Sequence, residues 1–156
     1  MNALVAYYSW QGHTEKVAEE IASKLDAELV KIEALKDSGM PIKAMKAMFG
    51  MKSDIKPCKT DLSDIDHLVV ATPVWAGHST PFMNKYLSLL ENCSGKSFSV
   101  VAEMGKSGAE KTINQIRNEL EKKGMKFVSS AFTLEKDVNK GNFADKTSKL
   151  VETIKK

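Results

Sequence analysis

A polar loop with a single glycine is the segment of this sequence best suited to binding a phosphate group. The loop consists of Ser9, Trp10, Gln11, Gly12, His13 and Thr14. Hydroxyl and amide side chains donate hydrogen bonds to phosphate oxygens, and a glycine lets the backbone come close to a ligand or adopt a positive φ. A helix predicted directly after the loop adds unpaired backbone N–H groups and the positive end of its dipole. We therefore expect an anion site here.

The loop does not match the two commonest nucleotide-binding signatures. It lacks the G-x-G-x-x-G pattern of dinucleotide folds and the G-x-x-x-x-G-K-[ST] pattern of NTPases. A polar strand-to-helix turn with a capping threonine would explain the same residues without any ligand. The loop alone therefore indicates a phosphate without identifying the molecule that carries it.

Two further segments follow predicted strands and are candidates for the same site. The first contains Thr72, Pro73, Val74, Trp75, Ala76 and Gly77, and the second contains Glu103, Met104, Gly105, Lys106, Ser107 and Gly108. Trp75 is suited to stack on a flat aromatic ligand, although a hydrophobic plug over the end of the sheet would use the same side chain. Pro73 stiffens its loop, and Gly77 permits close approach.

The elements that must position these loops alternate between strand and helix. Apolar runs predict strands at residues 3–8, 28–32, 66–72, 98–102 and 127–132, and amphipathic helical spacing lies between and after them. This alternation predicts one α/β domain over residues 1–156, with a five-stranded parallel sheet between two helical layers. In the common strand order 2-1-3-4-5, ligands bind beyond the carboxyl ends of strands 1 and 3.

Residues 8–14 resemble the phosphate loop of the flavodoxin family, a hydroxyl-rich [ST]-x-[TS]-G-x-T pattern, with Gln11 in place of the usual hydroxyl residue. Residues 72–77 resemble the family's T-P-V-[WY]-x-G segment, which meets the isoalloxazine ring. The order of elements is similar over nearly the whole chain. The resemblance implies a flavodoxin-like three-layer sandwich with FMN as cofactor, the phosphate on residues 9–14 and the ring near residues 72–77 and 103–108.

The resemblance implies an electron carrier between redox-enzyme partner proteins as the leading function. Many carriers of the family have a tyrosine after strand 4 that covers the second face of the ring, and this chain has none there. That face is expected to be open, or covered by Trp10 or Met104. An open face suits an NAD(P)H- or quinone-dependent FMN oxidoreductase of the same fold, which is the alternative. A flavin-binding sensor is a third interpretation, and no side chain is assigned a catalytic role.

Composition and charge exclude several other classes of protein. The net charge is +3, Arg117 is the only arginine, and lysines interleave with acidic residues, so a nucleic-acid partner is not expected. This charge also differs from the acidic character typical of flavodoxin carriers. Residues 67–84 lack charged side chains but contain two prolines and a glycine, which argues against a membrane span.

Cysteine and histidine spacing indicates neither a disulfide framework nor a metal site. Cys58 and Cys93 match no redox or metal-binding spacing, and His13, His67 and His78 fall in separate parts of the chain. Without an evident signal peptide, these features favour a cytoplasmic protein. We expect a monomer or a homodimer.

A methionine-rich segment at residues 37–57 is the least interpretable part of the sequence. It contains Met40, Met45, Met48, Phe49 and Met51, with lysines between them. Methionine adapts to irregular surfaces. The segment is expected to be a short helix over the flavin, a docking surface for a partner, or an ordinary packed connection.

Overall fold

Five parallel strands form one sheet in the computed structural model, which describes residues 1–36 and 39–156. The strands are β1 (Ala3–Tyr7), β2 (Glu28–Lys31), β3 (His67–Pro73), β4 (Ser97–Met104) and β5 (Lys126–Leu134). Their order, β2-β1-β3-β4-β5 with every pairing parallel, confirms the predicted order 2-1-3-4-5. Each predicted strand boundary lies within two residues of the observed one.

Helices cover both faces of the sheet. They are α1 (His13–Leu25), α2 (Met40–Met48), α3 (Pro81–Leu89), α4 (Ala109–Lys122), α5 (Glu135–Asn139) and α6 (Ala144–Ile154). Alternate residues of β1 point to opposite faces, so Leu4 packs with α3 and α4 while Val5 packs with α1 and α6. None of the helices in the described residues is long and apolar enough to cross a membrane.

Local signals in the sequence fix where several helices begin and end. The Thr80 hydroxyl accepts a hydrogen bond of 3.1 Å from the backbone N–H of Met83, and Pro81 is the first residue of α3. Gly124, with φ of 83°, follows the end of α4. Both features follow the general chemistry of helix capping. Helix α5 was not predicted, because five residues are too few to show a helical period.

A buried histidine links the three strands β3, β4 and β5. The two ring nitrogens of His67 lie 2.7 Å from Ser97 Oγ and 3.1 Å from Ser99 Oγ, and Ser99 Oγ lies 3.0 Å from Ser129 Oγ. Burial lowers the pKa of His67 to about 4, because removing the ring from water disfavours its charged form. The side chain is therefore a neutral structural residue that satisfies hydrogen bonds inside the sheet.

The methionine-rich segment forms α2 and the turn after it, although its first residues, Asp37 and Ser38, lie outside the described residues. Lys43 and Ala47 are the buried residues of this helix. The opposite side is apolar and faces solvent, and we call it the α2 surface. It consists of Ile42, Met45, Met48, Phe49 and Met51, which are between 46% and 70% exposed.

Candidate functional site

A cleft opens at the carboxyl edge of the sheet, where the switch-point rule places a ligand. Its walls come from the loops after β1, β3 and β4, together with α2 and α5. It is lined by Ser9, Trp10, Gln11, His13, Thr14, Met40, Pro73, Val74, Trp75, Glu103, Gly105 and Glu135. Its volume is about 180 Å³, less than the roughly 300–1,000 Å³ of most small-molecule sites. A ligand the size of a mononucleotide would therefore keep part of its surface exposed.

The loop after β1 forms the start of α1 around a glycine. Gly12 has φ of 90° and occupies the N-cap position, and no side chain caps this end of the helix. The Gly12 N–H donates a 3.1 Å hydrogen bond to Ser9 Oγ, which closes the loop on itself. The N–H groups of the first helical turn have no intrahelical acceptor, so this helix end retains donors for an anion.

The loop after β3 is a tight hairpin. Trp75 and His78 exchange two backbone hydrogen bonds, each 2.9 Å long, and the two residues between them, Ala76 and Gly77, have φ of 51° and 75°. Positive φ at both central positions is the mark of a type I′ turn. Glycine adopts this conformation without strain, whereas Ala76 is held in it by the two flanking bonds.

The Trp75 side chain is largely enclosed by other aromatic residues. It is 7% exposed, and its ring meets Tyr8, Phe82 and Trp10 edge-on at centroid distances of 5.6, 6.4 and 6.4 Å. Trp10 is 47% exposed at the mouth of the cleft, with Lys43 Nζ 5.7 Å from its ring centroid. Trp75 thus both plugs the end of the sheet and lines the cleft, and its stacking on a flavin stays a prediction.

The loops after β3 and β4 are held against each other. The Val74 N–H donates a 2.8 Å hydrogen bond to the carbonyl of Glu103. Gly108, with φ of 98°, begins α4, and a Cβ added there would lie 2.9 Å from Val74 Cγ1 and 3.0 Å from Gly77 Cα. Only a residue without a side chain allows this approach.

A group of titratable and polar side chains lies at the inner end of the cleft. Glu103 is 7% exposed, and Thr14 Oγ1 lies 3.5 Å from its Oε2. His13 Nε2 is 2.9 Å from Asn139 Oδ1 and 3.9 Å from Glu135 Oε1. Burial raises the pKa of Glu103, and the charge of Glu135 raises it further, whereas His13 and the Thr14 hydroxyl act in the opposite direction.

The structure brings most of the predicted site residues together. Ten of them line the cleft: Ser9, Trp10, Gln11, His13, Thr14, Pro73, Val74, Trp75, Glu103 and Gly105. The other predicted residues do not line it, and they are Gly12, Thr72, Ala76, Gly77, Met104, Lys106 and Gly108. Several of these still shape its walls. Gly12 caps the start of α1, and Gly77 and Gly108 lie close together where the loops after β3 and β4 meet.

Thr72, Met104 and Lys106 are predicted site residues that lie in three different environments outside the cleft lining. Thr72 is fully buried, and its hydroxyl donates to the carbonyl of Pro73 at 3.1 Å. Met104 lines a separate surface hollow together with Phe127, and Lys106 is exposed to solvent. Any contact of these side chains with a flavin remains a prediction.

Sequence reasoning missed the contribution of α5 to the site. Glu135 lines the cleft and Asn139 contacts His13. A signal was available, because Glu135 directly follows β5 and the carboxyl ends of all parallel strands lie at one edge of a sheet. Met40 lines the cleft as well, a position compatible with one of the three alternatives for the methionine-rich segment, a short helix over the flavin.

The cleft suits a flavin mononucleotide in two respects and opposes it in a third. Neutral donors and the uncapped start of α1 suit a phosphate, and Trp10, Met40, Val74 and Trp75 offer apolar surface to an aromatic ring. Glu103 and Glu135, however, place two carboxyl groups in the same cleft. Within residues 1–36 and 39–156, no three His, Cys, Asp or Glu side chains are grouped as metal ligands.

Comparisons with known proteins agree with this description of the fold. The family model described as NADPH-dependent FMN reductase matches residues 2–139. A flavoprotein from Lactobacillus acidophilus, crystallised in complex with FMN, is 20% identical over 89% of this chain and 97% of its own, with a TM-score of 0.73. An NADH:FMN oxidoreductase in its apo form is 21% identical over 99% of this chain and 87% of its own, with a TM-score of 0.67.

A flavodoxin has a similar fold as well. The two-electron reduced flavodoxin of Megasphaera elsdenii is 16% identical over 97% of this chain and 96% of its own, with a TM-score of 0.63. No curated protein sequence matches the chain. At these identities the solved structures establish the shared fold, and the match to the family model covers most of the chain.

Proposed function

Because the chain belongs to the NADPH-dependent FMN reductase family, we propose that it is an oxidoreductase that passes electrons from NAD(P)H to a small acceptor such as a quinone. The chain is a flavodoxin-like FMN protein. FMN supplies the redox chemistry when bound, and the protein binds it, orients it and tunes its electronic properties. Within this proposal, the loop at residues 9–14 holds the phosphate and the loops after β3 and β4 border the ring.

The observation that carries the proposal is the open side of the cleft formed by the loop after β4. Residues 103–108 include no aromatic side chain. Gly105 lines the cleft and is exposed, and a Cβ added to it would meet only Glu135 Oε2, at 3.8 Å. A flat nicotinamide ring must approach the flavin closely for hydride transfer, and this wall leaves room for it.

The overall charge supports a nucleotide as the electron donor. The chain carries a net charge of +3, and reduced nicotinamide nucleotides are anions, which a positively charged protein attracts over a distance. Lys106, exposed next to Gly105, adds a local positive charge on the open side. We therefore propose that the donor enters from the side of the loop after β4.

Anaerobic reduction of the FMN-loaded protein tests this function. On mixing with NADPH or NADH, we expect the visible absorbance of the flavin to bleach, and then to return when a quinone is added. Free FMN at the same concentration serves as the control for uncatalysed reduction. Failure of both nucleotides to reduce a flavin that dithionite does reduce would overturn the proposal.

An electron carrier is the second candidate function, and the α2 surface is the observation that favours it. Five apolar side chains of this surface face solvent, and the same helix reaches the cleft through Met40. Exposed apolar surface of this kind often marks a site of protein interaction. A carrier needs such a surface beside its flavin so that a redox-enzyme partner can approach.

Substitutions on the α2 surface distinguish the two candidates. For a carrier, Met45→Asp combined with Phe49→Asp slows electron transfer from a reducing flavoprotein partner, while the nucleotides alone leave the flavin oxidised. Leu89→Asp, which alters an exposed apolar side chain on α3, is the matched control and keeps the rate. For the oxidoreductase, the double variant leaves the rate with NADPH unchanged.

The proposed chemistry suits a reducing compartment. Both cysteines are free, with Cys58 half-buried and Cys93 buried, as is usual for proteins of the cytoplasm. We propose the cytoplasm, where reduced nicotinamide nucleotides are available, as the site of action, with the chain acting as a monomer or homodimer.

A further inference from the structure

We propose that FMN binding takes up a proton at Glu103, because the carboxyl group of this residue shares the Thr14 hydroxyl with the phosphate site. The inference rests on the flavin site of the proposed oxidoreductase. It concerns binding and not turnover, so either proposal can fail without the other.

The Thr14 hydroxyl is shared between Glu103 and the site assigned to the phosphate. Thr14 is 2% exposed and lies in the second position of α1, within the loop assigned to the phosphate. Its Oγ1 lies 3.5 Å from Oε2 of Glu103. A hydroxyl has one proton to donate, so it cannot serve the carboxylate and a phosphate oxygen at once. Binding of the phosphate therefore removes a hydrogen bond from the carboxylate.

Titratable side chains on two helices lie near Glu103. His13 from α1 lowers the pKa of its carboxyl group and Glu135 from α5 raises it. The residues paired with Glu103 in β3 and β5 are Pro73 and Thr133, and neither titrates. The His13 ring already contacts Asn139, with 2.9 Å between Nε2 and Oδ1.

The consequence for the bound state follows from electrostatics. Glu103 is 7% exposed, so water screens its charge poorly, and an arriving phosphate adds a second anion at close range. Like charges in a buried site disfavour the ionised form of a carboxyl group, and burial already raises the pKa of Glu103. The complex is therefore most stable when the carboxylate has accepted a proton from solvent, which turns a repelling group into a hydrogen-bond donor.

Titrations of apo protein with FMN and with riboflavin test this coupling through quenching of flavin fluorescence. Between about pH 6.5 and about pH 8.5 the phosphate of FMN is mainly dianionic, since its second pKa is about 6. We expect the Kd of FMN to rise by about tenfold or more over this range, because binding that takes up one proton weakens as the pH rises. The Kd of riboflavin, which has no phosphate, stays constant.

Glu103→Gln is the central variant. Its neutral amide neither repels the phosphate nor titrates, so we expect FMN to bind about tenfold more tightly than to the wild type at about pH 8.5, with a Kd independent of pH. Glu110→Gln alters an exposed carboxylate in the first turn of α4, away from the cleft lining, and keeps the wild-type profile.

Isothermal calorimetry of the wild type in buffers of different ionisation heat measures the coupling without a substitution. The proposal expects net uptake approaching one proton per FMN and none for riboflavin. Three results would overturn it: no proton uptake, equal pH profiles for wild type and Glu103→Gln, or equal loss of FMN and riboflavin binding in that variant. The last result would mean that Glu103 binds a hydroxyl group common to both ligands. None of these readouts involves a nucleotide donor.

Discussion

Trp75 combines a packing role with an expected ligand contact, and the two can be separated. Its ring is almost fully buried against Tyr8 and Phe82, so Trp75→Ala should destabilise the apo protein by about 3–5 kcal/mol. If the ring also stacks on the flavin, the variant loses an additional 1–3 kcal/mol or so of FMN binding energy. Urea unfolding of apo protein measures the first effect, and FMN titration of the folded fraction measures the second.

The conservative variant Trp75→Phe is the control for this experiment. It keeps an aromatic ring in the packed position, so it should retain most of the stability and part of the affinity. A loss of stability in Trp75→Ala with an unchanged Kd would show that the side chain acts only as a plug at the end of the sheet.

His67 should make the stability of the protein depend on pH. The folded state holds the pKa of this residue at about 4, below its ordinary value of 6.5. As the pH falls from 6.5 toward 4, His67 therefore takes up a proton in the unfolded chain but stays neutral in the folded chain. Stability is unaffected above this window, and it should decrease by about 2 kcal/mol between about pH 7 and about pH 5.

Urea unfolding of the wild type and of His67→Gln at the two pH values separates the contribution of His67 from that of other titrating groups. The glutamine variant should be less stable near neutral pH but should lose about 2 kcal/mol less on acidification. His78→Gln, in the hairpin after β3, is the control and should keep the wild-type difference. A wild-type and a His67→Gln protein with the same pH dependence would contradict the buried, neutral state of His67.

Single residues of the site were predictable from the sequence where they lie in one continuous loop. The polar residue types and the glycine at residues 9–14 were sufficient to predict a ligand site in this loop, and the structure puts Ser9, Gln11 and Thr14 in the cleft. Binding of an anion there stays a prediction. The contact of Thr14 with Glu103 spans 89 positions, and only the relative placement of β1 and β4 produces it. The same holds for the burial of Trp75, which depends on Tyr8 and Phe82 from two other parts of the chain.

At the scale of elements, the contact between the loops after β3 and β4 determines the shape of the cleft. Gly108→Ala would place a methyl group 2.9 Å from Val74 and 3.0 Å from the backbone of Gly77. Since backbone atoms cannot yield easily, we expect a loss of about 2–4 kcal/mol in stability from overpacking and positive φ together. The displaced hairpin should also weaken FMN binding. Chemical denaturation and FMN titration measure the two effects.

Gly141→Ala is the matched control, because Gly141 also has a positive φ, of 74°, but an added Cβ there meets nothing within 4 Å. It should show only the conformational penalty of about 1–2 kcal/mol and should leave FMN affinity unchanged. Equal losses in the two variants would mean that the close approach of the two loops contributes nothing beyond backbone strain.

Periodicity and capping indicated the boundaries of several elements, but not those of α2, although it is as long as α3. Thr80 and Pro81 stand in the sequence as a signal for the start of α3, and Gly124 as a signal for the end of α4. Helix α5 is only five residues long, so no period distinguished it from a loop. Its contribution to the cleft through Glu135 therefore required the three-dimensional arrangement.

At the scale of the whole molecule, alternation of strands and helices was sufficient to predict the architecture. Strands β1 and β3 are buried along their whole length, and such apolar runs indicate a sheet covered on both faces. Edge strand β5 alternates between exposed and half-buried residues over most of its length, yet it was still recognised from its apolar residues. The electrostatic character of the assembled cleft was not predictable, because its carboxyl groups come from distant segments.

The net charge of the molecule leads to a prediction about ionic strength. A protein of charge +3 attracts an anionic nucleotide, and salt screens that attraction with a Debye length of about 10 Å at 0.1 M. If the chain is a nucleotide-dependent oxidoreductase, kcat/KM for NADPH should fall several-fold between about 0.02 M and about 0.5 M salt. The kcat/KM for an uncharged quinone, measured at saturating NADPH, should show no such decrease because the net charge of the protein does not attract a neutral molecule. A value for NADPH that stays constant or rises with salt would instead indicate that the positive charge serves another encounter, such as docking of an acidic redox protein next to the α2 surface.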